Sequence, residues 1–273
     1  MRPLSARNPR VTRLGRLARR REERAAQGAF LVEGPVLLGA ALDAGAVVID
    51  VYVDEAAQHR DVVAAALRRL PQWVDPWVLP AGTLDRVGDA AASQGLAAVV
   101  ALPEPSWPTP AFTDFVVVLA DVADPGNAGT LIRAATAAGA GAVVFAGGVD
   151  PTSPKVVRAS AGAIFGVAVV GAATPGAAVD ILRADGYQII GTVVRDGRRY
   201  DQVDLSGPVA LVLGNEAHGL PTELETDLDL TIPMAGGTES LNVAMAGTVV
   251  CFEILRQRCG ADSGPYHGTE GNR

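Results

Sequence analysis

The 273-residue chain is long enough for two ordinary domains at ~100–200 residues each, and 49% hydrophobic against 19% charged residues excludes a disordered protein. Its net charge of -7, taken as an average, argues against a nucleic-acid partner. The average hides a split, because the first 30 residues hold nine arginines and two glutamates, a surplus of +7 that leaves -14 on the rest.

Residues 10–24 place Val11, Leu14, Leu17 and Ala18 at helical spacing with arginines on the other faces, which predicts one basic amphipathic helix. Such a helix is a solvated surface element, a phosphate-contacting one with Arg10, Arg13, Arg16 and Arg20 as its candidate nucleic-acid contacts, or a membrane-surface or transit segment, a reading that Glu22 and Glu23 weaken. A short strand at 30–34, a helix to Ala44, a strand at 47–53 and further alternation to a strand at 99–102 complete a small α/β unit over residues 1–102. Pro103, Pro105, Pro108 and Pro110 block helix and strand ladders alike and predict an extended linker over 103–112. Beyond it, apolar runs without alternation at 115–120, 142–146, 164–170, 187–194, 209–213 and 228–232 predict strands covered on both faces. With helices between them they make a parallel-sheet α/β domain over 113–260, a class that binds ligands at the carboxyl ends of its strands. A helix over 242–258 follows, and 261–273 read as a polar, flexible tail.

Cys251 and Cys259 lack metal-ligand spacing and read as reduced thiols, so no metal is expected. No apolar run reaches the ~18 residues of a membrane span, and no apolar stretch follows the N-terminal charges; the expectation is a cytoplasmic protein.

Three loops, each after a predicted strand, can carry chemistry. In the first, Asn127 stands near a helix N-cap, Gly126 and Gly129 permit close approach, and Arg133 wants a phosphate or carboxylate one turn into an apolar helix. In the second, Gly214 and Gly219 have P-loop spacing, but Leu220 and Pro221 stand where Lys and Ser/Thr are required, which excludes ATP binding by that motif. Glu216 in this loop is costly to bury alone and must meet a cation, a backbone N–H or a ligand amine, whereas His218 reads as a rim residue. The third runs from Ile232 through Gly236, Gly237 and Ser240 to Val243, a pliable loop closed by an N-cap. An ordinary dinucleotide oxidoreductase is disfavoured, since no Gly-x-Gly-x-x-Gly opens a strand–helix turn with an acidic residue about 20 positions on.

Together the loops resemble the three signature motifs of the SpoU (TrmH-type) branch of the SPOUT RNA methyltransferases, over roughly residues 113–258. The first motif reads here as Asn127, Gly129 and Arg133, the second as Gly214, Glu216 and Gly219, the third as Ile232, Pro233, Met234, Ser240, Leu241, Asn242 and Val243. Ala244, where Ser is frequent, and His218, where Arg or Gly is common, are minor departures. The N-terminal half, with Asn8, Pro9, the Arg-rich helix and the run from Phe30 to Gly34, resembles the ribosomal-protein-like substrate-binding domain of the subgroup that contains thiostrepton-resistance and other 23S rRNA enzymes.

The resemblance implies a trefoil knot, one of the rare exceptions to unknotted topology, that holds S-adenosylmethionine. It implies cofactor contacts at Thr192, Leu213, Gly214, Gly219, Ile232, Met234, Ser240 and Leu241, and catalytic roles for Asn127, Arg133, Glu216, Ser240 and Asn242. It also implies a homodimer with the active site completed across the interface, and methyl transfer to an RNA ribose 2′-hydroxyl, with 23S rRNA favoured over tRNA. A guanidinium with a pKa above ~12 is a poor base at neutral pH, so Arg133 is assigned to stabilising the developing alkoxide. The alternative, a non-catalytic RNA-binding or ribosome-assembly factor with the same fold, is opposed by the intact motif residues.

Overall fold

A computed structural model of the chain describes residues 1–88, 94–104, 107–111, 113–236 and 240–261; Pro105 of the expected linker, Gly237 of the third loop and the tail from 262 lie outside the described residues. The first half contains β1 (Arg2–Pro3), α1 (Pro9–Arg19), α2 (Arg21–Gln27), β2 (Ala29–Glu33), α3 (Pro35–Asp43), β3 (Val48–Asp54), α4 (Asp61–Arg68), β4 (Trp77–Leu79), α5 (Thr83–Val87) and β5 (Leu96–Ala101). Its sheet has the order β1-β4-β3-β5-β2, with β5 antiparallel to both neighbours and the other pairs parallel.

The basic helix expected over 10–24 is two helices. Asn8 caps α1 by accepting from the Arg10 N–H, with Pro9 at the first helical position, and Val11, Leu14 and Leu17 pack beside Leu31, Tyr52 and Leu79. A continuous helix would bring Arg24, seven residues after Leu17, onto this same apolar face. Instead Arg20 adopts an extended backbone (φ -123°, ψ 117°), and the buried Arg24 donates to the Leu17 carbonyl (2.6 Å), to Asp150 and to Thr152 (3.2 Å).

The second half contains β6 (Phe115–Ala120), α6 (Pro125–Ala137), β7 (Ala142–Ala146), α7 (Pro154–Ala159), β8 (Ala168–Ala172), α8 (Pro175–Ala184), β9 (Gln188–Thr192), β10 (Arg198–Arg199), β11 (Val209–Leu213), β12 (Leu228–Thr231) and α9 (Val243–Ala261). The sheet order is β10-β12-β9-β11-β6-β7-β8, and every neighbouring pair is parallel. β6, β7 and β11 are buried along their whole length, as strands covered on both faces should be.

The strand expected at 164–170 is a correction. Ala163–Phe165 is a 3-10 turn and β8 begins only at Ala168, because Ile164 and Phe165 are apolar for packing rather than for extension: Phe165 stacks on Phe30 of β2 at 6.0 Å. This contact, the Arg24–Asp150 pair and an Arg158–Glu33 pair join the two sheets. Burial alone would raise the Asp150 carboxyl, but the hydrogen bonds from Arg24 and Thr152 outweigh it and hold it below the usual range. Both cysteines are free, and burial pushes the Cys251 thiol up to about 12. Among the described residues no helix is long and apolar enough to cross a membrane.

Candidate active site

The three loops converge at the carboxyl ends of β6, β11 and β12. Asp124, not Asn127, caps α6 by accepting from the Asn127 N–H (2.8 Å), which leaves the Asn127 side chain free to bridge. Glu216 accepts from the backbone N–H groups of Ala123 and Asp124 (3.0 Å each) and from Asn127 Nδ2 (2.9 Å). Asn127 Oδ1 accepts from Asn242 Nδ2 (3.0 Å), and Asn242 Oδ1 accepts from the Ala244 N–H (2.9 Å) at the start of α9. One polar chain thus ties the loop after β6, the loop after β11 and the head of α9. Of the partners open to Glu216, backbone N–H groups and an amide are the ones it meets.

Burial raises the Glu216 carboxyl, but Asn127 and the backbone N–H groups of Ala123, Glu216 itself and Asp124 more than offset it and hold it below its ordinary value. A depressed folded-state value stabilises the fold above the unfolded value, and the contribution is lost as pH falls through the folded one. Glu216→Gln should therefore cost about 1 kcal/mol near neutral pH, an amount reduced by the site's solvent exposure, and the cost should shrink as pH drops through the carboxylate range. Urea unfolding of both proteins across pH measures it; a difference independent of pH contradicts the clamp.

The loop after β11 is a tight turn. Asn215 and Gly219 exchange both backbone hydrogen bonds at 2.9 Å, and the Asn215 side chain donates to the Asp121 carbonyl (2.9 Å) while accepting from the N–H groups of Ala217 (2.9 Å) and His218 (3.2 Å). Asn215 is not among the expected site residues; Asn directly after a strand, able to bond its own backbone two residues on, is the signal that marks it. A Cβ on Gly214 would lie 2.3 Å from the Gly219 carbonyl carbon, so only glycine lets the turn fold back on itself.

Between this turn, the ends of β9 and β12 and the head of α9 lies a cavity of about 370 Å³. Thr192, Gly214, Gly219, Ile232, Met234, Ser240 and Leu241 of the expected cofactor positions line it, as do Glu216 and His218. Leu213 does not: it is fully buried against α9, where a Cβ on Gly247 would meet it at 2.7 Å and Leu131 at 2.4 Å. The close approach expected at Gly129 is made by α7, since a Cβ there would lie 2.3 Å from the Ala159 Cβ and 2.8 Å from the Ser160 nitrogen. Asn127, Asn242 and Arg133 do not line the cavity, and Arg133 is exposed on α6 with no ion pair or hydrogen bond to its guanidinium among the described residues.

The arginines of the basic segment divide. Arg10 and Arg13 both bond Asp50 at 2.9 Å, Arg13 also bonds Gln27, and Arg10 lies 4.8 Å over the Trp77 ring, so these two fasten α1 to its sheet. Arg16, 4.0 Å from Glu23, and Arg20 flank a groove with Thr12, Gly15 and Arg19. Both face solvent, as does Arg10, whose side chain is 46% exposed despite its bond to Asp50, whereas Arg13 is half-buried.

Residues 114–252 match the SpoU rRNA Methylase family model, and residues 8–98 match the MRM3-like substrate binding domain. A 23S rRNA (guanosine(2553)-2'-O)-methyltransferase of Bacillus subtilis is 34% identical over 86% of this chain and 91% of its own. A 23S rRNA (uridine(2479)-2'-O)-methyltransferase of Streptomyces viridochromogenes is 32% identical over 94% and 93%. The crystal structure of the SpoU methyltransferase AviRb from Streptomyces viridochromogenes, in complex with the cofactor AdoMet, superposes with a TM-score of 0.84 at 30% identity, covering 93% of this chain and 99% of that one.

Proposed function

The chain belongs to the SpoU rRNA methylase family, and on that premise we propose that it transfers the methyl group of S-adenosylmethionine to a ribose 2′-hydroxyl of 23S rRNA. The observation that carries the reading is the cavity at the strand ends. Its volume falls within the ~300–1,000 Å³ of small-molecule sites, and it mixes apolar walls with backbone and hydroxyl groups, which fits a nucleoside bearing an aliphatic sulfonium arm. Gly214, Gly219, Ile232, Met234 and Leu241 would hold the cofactor, with Thr192 and Ser240 supplying hydroxyls. When bound, it supplies an electrophilic methyl group on a positively charged sulfur.

The chain's own residues do the rest. Glu216, Asn127 and Asn242 fix the loops so that attacking oxygen and methyl carbon are held in line. Ser240 orients the ribose, and Arg133 stabilises the alkoxide that develops as the hydroxyl loses its proton to water or an adjacent phosphate. We assign residues 1–102 to RNA binding, with Arg16 and Arg20 on phosphates, 103–112 to the linker, 113–260 to methyl transfer and 261–273 to the tail. The lodging of β11 between β9 and β6, with α9 packed back on α6, supports the trefoil threading.

Arg133 does not line the cavity of its own chain, while Leu241, Met245 and Phe252 present an exposed apolar stripe on α9 and its approach. Both observations support a homodimer in which each cavity is completed by Arg133 of the partner subunit. A 23S rRNA substrate supports a cytoplasmic location. Transfer of tritiated methyl from S-adenosylmethionine to purified 23S rRNA and to tRNA, followed by mapping of the methylated ribose, tests the reading. Label on tRNA alone reassigns the substrate, and absence of label with intact RNA binding supports the assembly-factor alternative.

A further inference from the structure

The second half of the chain has two kinds of arginine. Arg158, Arg183, Arg199, Arg256 and Arg258 each pair with a carboxylate, respectively Glu33, Asp227, Asp201, Glu253 and Asp114. Besides Arg133 on α6, Arg195 and Arg198 are exposed, and neither guanidinium has an ion pair or hydrogen bond among the described residues. They sit on the turn that follows β9, directly after Thr192, Val193 and Val194 of the cavity wall.

That turn is a built element. Asp196 takes a left-handed backbone (φ 64°), and Gly197 is pressed against β12, where a Cβ would lie 2.8 Å from the Leu230 carbonyl carbon and 2.9 Å from the Thr231 nitrogen. The Val193 N–H donates to the Leu230 carbonyl (2.9 Å), and the Thr231 hydroxyl donates to the Val194 carbonyl (3.0 Å). Arg198 pairs in register with Leu230, itself part of the cavity wall. Tight packing against β12 thus fixes the backbone of a turn that carries two exposed arginines and Asp196 directly beyond the cavity-wall residues Thr192, Val193 and Val194. Nothing within the described chain repays that arrangement, whereas a phosphodiester strand would, since each guanidinium can take a phosphate by paired charge-assisted bonds.

We propose that Arg195 and Arg198 form a phosphate clamp that grips the RNA strand flanking the target nucleotide. The inference rests on the methyltransferase reading and adds a second RNA contact, at the chemistry itself, to the distant grip of Arg16 and Arg20. The test is the double variant Arg195→Gln/Arg198→Gln in the full chain, with Arg199→Gln, whose arginine is already paired with Asp201, as the contrast. The clamp predicts a KM for rRNA raised about tenfold or more, and a log-log salt slope of RNA binding reduced by about one to two, since each lost phosphate contact removes ~0.7–0.9. It also predicts an unchanged melting temperature and S-adenosylmethionine affinity, with kcat at saturating RNA within a few-fold of wild type. Unchanged KM and slope overturn it, as does a parallel loss of cofactor affinity, which would make the turn part of the cavity's shape. The slope is read by filter binding without turnover, so a wild-type chain that binds RNA but methylates none refutes the methyltransferase reading while a reduced slope still upholds the clamp.

Discussion

Arg133→Ala should lower methyl transfer by at least about 10²–10³-fold while leaving S-adenosylmethionine affinity within a few-fold, the loss typical of removing one preorganised donor to a developing oxyanion. The side chain is exposed on α6, touches no cavity wall and holds no partner among the described residues, so its removal breaks no packing. Alanine is also a better helix former, so the fold should be at least as stable. Arg133→Lys keeps the charge but not the planar fork and should recover only part of the rate. Single-turnover transfer of labelled methyl and calorimetric titration of the cofactor separate the two quantities. If the cavity is completed across a dimer, mixing Arg133→Ala chains with chains disabled in the cavity should restore activity, because one of the two sites in each heterodimer is whole. Turnover retained by Arg133→Ala within tenfold of wild type removes the assignment.

The second large effect concerns Gly214→Ala. The added methyl would meet the carbonyl carbon and oxygen of Gly219 at 2.3 and 2.4 Å and the nitrogen of Leu220 at 2.5 Å. All three are backbone atoms that no side-chain rotation can clear. The turn must open, breaking the paired Asn215–Gly219 bonds that shape the cavity wall. Stability should fall by about 1–3 kcal/mol, the usual cost of overpacking, and cofactor affinity by about tenfold or more. Gly176→Ala in α8 is the contrast, since its Cβ would meet nothing within 4 Å and a helical Gly→Ala change gains about 0.5–1 kcal/mol. Equal cofactor affinity in Gly214→Ala and wild type would show that the turn is not a wall of the cofactor site.

Features encoded by local pattern are legible in the amino-acid sequence. β6, β7 and β11 announce themselves as unbroken apolar runs because both faces are covered, and the loops that follow carry the polar residues. Burial without extension misleads the same rule at Ile164 and Phe165, whose apolarity answers to Phe30 more than 130 positions away. The two-residue strands β1 and β10 are too short for any periodicity to mark. Partners distant along the chain are equally hidden: Asp50 pairs with Arg10 and Arg13, Asp150 with the buried Arg24, and Asn215 reaches Asp121 across two strand ends. Leu213 sits one residue before the cavity-lining Gly214, and strand alternation turns it to the opposite side, against Gly247.

The strand order also sets a timetable for synthesis. β6, β7 and β8 can pair with one another as they emerge, each beside its predecessor, and the N-terminal sheet is complete at Ala101. β9 has no neighbour on emerging, for both its partners, β11 and β12, come later in the chain. Every residue of the cavity wall, from Thr192 to Val250, belongs to this late part. Since chains emerge N-terminal end first and non-local parallel pairing is slow, the pocket for the methyl donor is the last piece to assemble. A chain still on the ribosome therefore possesses the half assigned to holding RNA before it possesses the half that modifies it.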